Sequence, residues 1–286
     1  MAYSNGMQHI ILSDHREEQL RRLRAEREQR YQQARVEYQQ ELRSYDEELT
    51  ALAETYQTAI RRLRLFQASG AWWRRRTLLK RGDPPAPVLE GPSVEEQRHQ
   101  AGAEAEQRLA ADLLAALPGT AWALLKGYQN QKGGIDYLLI GPVGVVALAC
   151  QHLSGTIICT KDRWMRQKYD PKGAPVTQVP ILDRTGRTPS QQLNEPVTEL
   201  IEGLSRKGVN CDISRAVILT HQDVRLSTVE GSTVQIILFS NVQPLLWELC
   251  RSASSSIPTE RIVEFVKEDH KYWQERKGTT LQQQHE

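Results

Sequence analysis

The chain has 286 residues, 39% of them hydrophobic, with 37 Lys and Arg against 35 Asp and Glu. The length exceeds one average domain, and the modest apolar share implies a long polar segment beside a globular part. A net charge of +2 excludes a uniformly basic or acidic binding protein, and no run reaches the roughly 18 apolar residues of a spanning helix.

The opening MAYSNGMQHIILSD has too short an apolar run for a secretory leader, and residues 1–13 are expected to be a tail. Cys150, Cys159, Cys211 and Cys250 lie in or beside apolar runs without zinc-like spacing. Reduced, mostly buried thiols in a cytoplasmic protein are expected.

Residues 14–67 contain no Pro and no Gly, and Asp14 with Glu17 offers a helix start. Tyr31, Ala34, Tyr38, Leu42, Tyr45, Leu49, Leu52, Tyr56, Ala59, Leu63 and Phe66 recur mostly at steps of three and four. This predicts a coiled-coil helix over 14–69, about 80 Å long at 1.5 Å per residue. A single apolar stripe must be buried, so a second copy or another coiled-coil partner is expected.

From Arg61 to Arg81 there are eight basic residues and no acids. Arg74, Arg75, Arg76, Lys80 and Arg81 follow Trp72 and Trp73. Such a field suits phosphates, and indoles beside arginines stack on bases or sit at a lipid headgroup layer. The same tryptophans also suit packing at a helix end while the arginines stay solvated. These three readings stand side by side. GDPPAPVLEGPS, residues 82–93, then places four prolines in a spacer. The segment 70–93 is therefore read as a basic Trp/Arg stretch and a Pro-rich hinge.

Ser93 and Glu96 cap a helix over 94–117. Strands follow at WALLKGY, IDYLLIG, VVALACQHL and GTIICTKDRWMRQ, then a weakly ordered loop or hairpin over 167–188. A helix over 189–207, strands over 213–220 and 234–240, and helices over 241–250 and 258–276 complete the pattern. The order α-β-β-β-β-α-β-β-α predicts a mixed α/β domain over 94–276, with a tail over 277–286.

Inside it, GIDYLLIGPVGVVALACQHLSG reads as two strands joined by Gly-Pro-Val-Gly. If Ile140 pairs with Val145 across that turn, Asp136 lies opposite residue 149. Directly opposed side chains have Cβ atoms about 4.5–5.5 Å apart. Residues 149 and 151 share a face, because strands have a period of two.

Four motifs in order resemble the nuclease-related domain (NERD) family of the PD-(D/E)xK nuclease superfamily. They are Gly102-x-x-x-Glu106, Gly134-Ile135-Asp136, Gly144-Val145 leading to Ser154-Gly155-Thr156-Ile157 with Trp164 after it, and Pro189-x-x-Gln192. The resemblance covers about residues 98–250. It implies a mixed-sheet, restriction-endonuclease-like domain behind the coiled coil. It also implies Glu-x-Lys on the second strand of the hairpin. Here those positions hold Ala149 and Gln151.

In the family's arrangement the acid at 149 holds magnesium together with Asp136. Magnesium wants a hard oxygen shell with one or two carboxylates, and it supplies an activated water. Ala149 removes one carboxylate, and Gln151 carries no charge. No catalytic residue and no cofactor are therefore expected. A degenerate domain that binds DNA or RNA, or acts as a scaffold, with Gln151 and Gln192 in its pocket, is the leading reading. The alternative is a weak or partner-completed nuclease holding Mg²⁺ or Mn²⁺ through Asp136 and Glu106. A purely structural, partner-recruiting coiled-coil protein is the third reading.

Overall fold

The computed structural model describes residues 7–117, 121–142, 144–170, 172–244 and 258–283. It is a mixed α/β protein with a long N-terminal helix followed by two sheets. The chain divides into two compact units, Gln19–Gln97 and the combination of Met1–Glu18 with Arg98–Glu286.

The first unit is a helical hairpin. Helix α1, His15–Arg61, opens on Asp14, whose Oδ1 accepts the Glu17 N–H at 3.2 Å. It stops at Arg61, short of residue 69, because Leu63 turns to the left-handed region with φ 55°. Helix α2, Leu65–Arg81, then runs back along α1, and the Tyr45 hydroxyl donates to the Leu78 carbonyl at 3.2 Å. Residues 70–81 are thus helical rather than part of an open hinge. Ala68 and Ala71 are buried, and Gly70 is tolerated within the helix.

Gly82, at φ 76°, ends α2. Residues 83–93 then run without regular structure, and the Ser93 hydroxyl accepts the Glu96 N–H at 3.1 Å. The buried Glu96 carboxylate meets Arg27 at 3.2 Å and Arg24 at 3.7 Å. The returning chain therefore covers the seam of α1. Tyr31, Ala34, Tyr38, Leu42, Tyr45, Leu49, Leu52 and Tyr56 are half-buried and Ala59 is buried within one chain. The stripe is thus partly covered by its own polypeptide, while Leu63 and Phe66 at its end stay exposed.

The second unit is built on a six-stranded sheet. Its strands are β1 (Gln8–Ile11), β2 (Ala123–Gln129), β3 (Gly134–Gly141), β4 (Gly144–Gln151), β8 (Ile213–Leu219) and β10 (Gln235–Leu238), in that spatial order. β3 is antiparallel to β2 and β4, while β1 runs parallel to β2 and β8 runs parallel to β4 and β10. The expected N-terminal tail is corrected here, since Gln8–Ile11 supplies an edge strand paired from Gln8↔Ala123 to Ile11↔Lys126. Four residues with two isoleucines give too weak a period to read as a strand alone.

A second sheet holds β7 (Pro175–Pro180), β6 (Arg163–Tyr169), β5 (Gly155–Thr160) and β9 (Val224–Glu230). The single run GTIICTKDRWMRQ is split at Lys161 and Asp162, which adopt φ 49° and 58°. Paired positive φ values are what a two-residue hairpin turn between twisted strands requires. The polar region 167–188 supplies the second half of the β6–β7 hairpin. β9 is largely exposed, so no apolar run announced it.

Helix α3, Val94–Ala116, covers one face of the large sheet with Leu109 and Leu113, joined by Leu117 just past its end, against Leu124, Tyr137, Leu139, Val146 and Leu148. Helices α4, Pro189–Arg206, and α5, Thr259–Gln283, belong to the other face. There Leu193, Val197, Leu200, Ile262 and Val266 join Leu138, Ile140, Val145 and Ala147 in the larger core. The Trp164 indole enters this core and donates to the buried Ser190 hydroxyl at 2.7 Å. Helix α5 extends to Gln283, so the tail expected from 277 begins later. Of the helix expected over 241–250, residues 245–250 lie outside the described residues. Among the described residues no helix is long and apolar enough to cross a membrane.

Candidate functional site

The register of the hairpin is set by its short loop. Ile140 pairs with Val145, Gly141 with Gly144, and the β3–β4 ladder runs to Tyr137↔Leu148. Asp136 follows directly, and its side chain takes over where the ladder stops. Its Oδ2 accepts the backbone N–H of Cys150 at 2.6 Å.

Around that carboxylate gather residues from four elements. Glu106 on α3 is buried, and Tyr137 donates to its backbone carbonyl at 3.0 Å. The Cys150 thiol from β4 is buried too. One ligand atom from each of Glu106, Asp136 and Cys150 lies within 4.8 Å of the others. Arg16, in the first turn of α1, ion-pairs through Nε with Glu106 and donates from Nη2 to the Cys150 carbonyl at 2.9 Å. Lys126 of β2 contributes positive charge to both acids and is itself paired with Asp14.

Gly102 makes room for this arrangement. A Cβ at that position would collide with the Arg16 guanidinium. The Gly-x-x-x-Glu motif thus has a local reason, because the glycine clears a path by which a cation reaches the glutamate one turn on.

Electrostatics follow from burial and crowding. Burial, with Asp136 beside it, raises the Glu106 carboxyl to about 7 against the pull of Arg16 and Lys126. Burial also raises Asp136, against the pull of Arg16 and the Cys150 N–H. Burial and the two acids raise the Cys150 thiol, so it stays protonated at neutral pH. Burial works against the charge on Arg16, but Glu106 and Asp136 more than offset it and hold the guanidinium charged.

The other sequence-selected residues fall elsewhere. Ala149 belongs to the core on the α4 side, with Ala147 and Leu193. Gln151 reaches Gln192 on α4 at 3.5 Å, and Gln192 in turn donates to the Arg187 carbonyl at 3.1 Å. Asp136 and Glu106 are therefore brought together on the α3 side, while Ala149, Gln151 and Gln192 line the α4 side. Just past the end of β4, His152 lies against His221 with ring centroids 4.8 Å apart. Burial and His221 lower the His152 pKa. Beside this pair, Arg108, Thr220, His221, Gln222 and Phe239 help line a cavity of about 340 Å³.

Arg16, Lys126 and Cys150 are not among the site residues that the sequence suggests. Arg16 sits 90 positions before Glu106 and carried no motif. Cys150 lies between positions 149 and 151, and only its place among apolar residues was noticed. In the other unit, Trp72 and Trp73 form an edge-on pair at 6.0 Å, and Arg76 lies 5.1 Å from the Trp72 ring centre. Arg74, Arg75, Arg76, Lys80 and Arg81 are all exposed.

The model of the nuclease-related domain family, NERD, matches residues 101–220. This segment is a nuclease-related domain. The match spans α3 through β8 and includes Glu106, Asp136, Ala149, Cys150, Gln151 and Gln192. Arg16 reaches the NERD segment from outside it. No curated protein and no solved structure matches the chain.

A magnesium ion of the nuclease kind fits this donor set poorly. The group offers two carboxylates and a protonated thiol, and position 149 offers none. A hard cation prefers oxygen ligands throughout. Two protein cations already act on the same carboxylates.

Proposed function

We propose that this protein is a catalytically silent NERD protein that binds nucleic acid without cutting it. The observation that carries the reading is Arg16. Its guanidinium sits on Glu106 and the Cys150 carbonyl, so positive charge is already supplied where a cation would be needed. Ala149 adds no carboxylate from the facing strand, and Gln151 places an uncharged amide in the lysine position. Losing one preorganised charged group costs about 10²–10³ in rate, and here two are missing.

Binding does not need the missing groups. The exposed cluster Arg74, Arg75, Arg76, Lys80 and Arg81 fits a nucleic-acid backbone, with Trp72 and Trp73 as stacking surfaces. The cavity beside His221 and Arg108 adds a recess that can admit a phosphate within the NERD unit. Because the whole chain is close to neutral, the binding is local and weakens steeply with salt.

A second reading, a metal-dependent nuclease using Asp136 and Glu106, is favoured by one observation. The three ligand atoms of Glu106, Asp136 and Cys150 lie within 4.8 Å. Calorimetric titration of manganese into the full chain separates the two, beside Asp136→Ala and Arg16→Ala. Silence in the wild type with uptake by Arg16→Ala, which frees the carboxylates from the guanidinium, supports the disarmed centre. Stoichiometric uptake by the wild type that Asp136→Ala abolishes, with nicking of plasmid DNA, overturns it.

A further inference from the structure

Nucleic-acid binding by the α2 cluster leaves the apex of the hairpin unexplained. Between α1 and α2 the chain turns through Arg62, Leu63 and Arg64. Leu63 is 85% exposed, Leu65 71% and Phe66 95%. They sit at the point where the hairpin ends, and their packing roles are taken by Ala59, Ala68 and Ala71. Leu63 also holds φ 55°, a left-handed conformation that glycine or asparagine adopts far more readily. A branched apolar residue is thus displayed at a strained position where it touches little of the fold.

Charge surrounds these side chains. Arg61, Arg62 and Arg64 are exposed beside them, and no acid occurs from Thr55 to Gly82. A nucleic-acid backbone has use for the arginines but not for two leucines and a phenylalanine held in water. A protein groove would take the apolar side chains but gives no reason for an acid-free shell of arginine. One chemistry uses both: an anionic lipid surface, with phosphates for the guanidinium groups and an acyl boundary just beneath. Interfacial segments bury their apolar face about 5–10 Å into that boundary. Phe66 and Trp73 are seven residues apart on α2, about 10 Å at 1.5 Å per residue. An apex seated at the acyl boundary therefore brings the exposed Trp73 to headgroup depth, where indoles are favoured.

We propose that the hairpin apex, Leu63, Leu65 and Phe66 with Arg61, Arg62 and Arg64, docks into the interface of an anionic membrane. The docking is peripheral, made by side chains at one turn. It is independent of the chemistry in the NERD unit.

Flotation of the full chain with vesicles tests it. Vesicles of phosphatidylglycerol and phosphatidylcholine are compared with phosphatidylcholine alone. The wild type floats with the anionic vesicles only. The triple variant Leu63→Ser, Leu65→Ser, Phe66→Ser loses at least tenfold in vesicle affinity and keeps its helical circular dichroism and its binding to duplex DNA. A Phe66→Trp variant gives an independent signal, a blue shift and quenching by brominated acyl chains, read as the difference from wild type. Absence of flotation overturns the proposal. So does equal flotation by the triple variant, or a Phe66→Trp difference emission that vesicles do not change.

Discussion

Glu106 is the residue whose titration tests the charge balance most directly. Its folded-state pKa of about 7 stands against an ordinary 4.5. An acid that holds its proton more tightly when folded stabilises the fold fully below the unfolded pKa. That contribution is lost as pH rises through the folded value. The gap of about 2.5 units, at 1.36 kcal/mol per unit, amounts to about 3 kcal/mol between pH 4.5 and 8. Replacing Glu106 with Gln keeps the shape and a hydrogen-bonding oxygen for Arg16 but never ionises. Relative to wild type, Glu106→Gln should therefore gain about 3 kcal/mol over that interval, with most of the change between pH 5 and 7. Urea unfolding at several pH values, followed by the near-ultraviolet signal of the buried Trp122 and Trp164, measures the difference. Comparing the two proteins cancels the opposite contribution of His152, whose lowered pKa adds stability as pH rises. Curves that stay parallel within about 0.5 kcal/mol would refute the reasoning. They would mean that Arg16 holds Glu106 fully ionised throughout.

Other outcomes follow from single contacts. Gly102→Ala makes the far end of the Arg16 side chain shift and should cost about 1 kcal/mol, the low end of overpacking. Combining it with Arg16→Ala should recover part of that loss, which a double-mutant cycle in thermal unfolding reads directly. Trp164→Phe removes the indole bond to the buried Ser190 hydroxyl, which keeps Asp162 as a partner, and should cost about 1 kcal/mol by chemical denaturation. Arg16→Ala frees the Glu106 and Asp136 carboxylates and should confer manganese uptake that calorimetry detects, and Asp136→Ala in the same background should remove it.

The hairpin was readable in the sequence for a physical reason. A short glycine-bounded loop sets the register, so Ile140 faces Val145 although both strands are apolar on both faces. The helix starts at Asp14, Ser93 and Pro189 were equally local signals, each carried by side chains within a turn of the backbone they cap. What escaped was non-local. The seam of α1 was visible, but its partner could not be chosen from spacing alone. The arginines of α2 hid a helix whose buried residues are only alanines. Strand β1 depends on a β2 edge far along the chain. The charge on Asp136 and Glu106 was legible as two acids, whereas the guanidinium that meets them lies in a segment with no motif. Cys150 entered the cluster through its position between two inspected residues, a neighbour that alternation assigns to the other face.

The edge pairing of β1 has a consequence for how the protein is made. Gln8 meets Ala123, 115 residues later, and the entire helical hairpin is synthesised between them. At 5–20 residues per second a ribosome takes about 6–23 s to cover that distance. Throughout that interval the first strand and Arg16 have left the synthetic site with no sheet to join. The hairpin, whose contacts are local, has time to form first. The nuclease-related unit then closes around a segment that has been waiting, and its carboxylates are born beside the arginine that meets them.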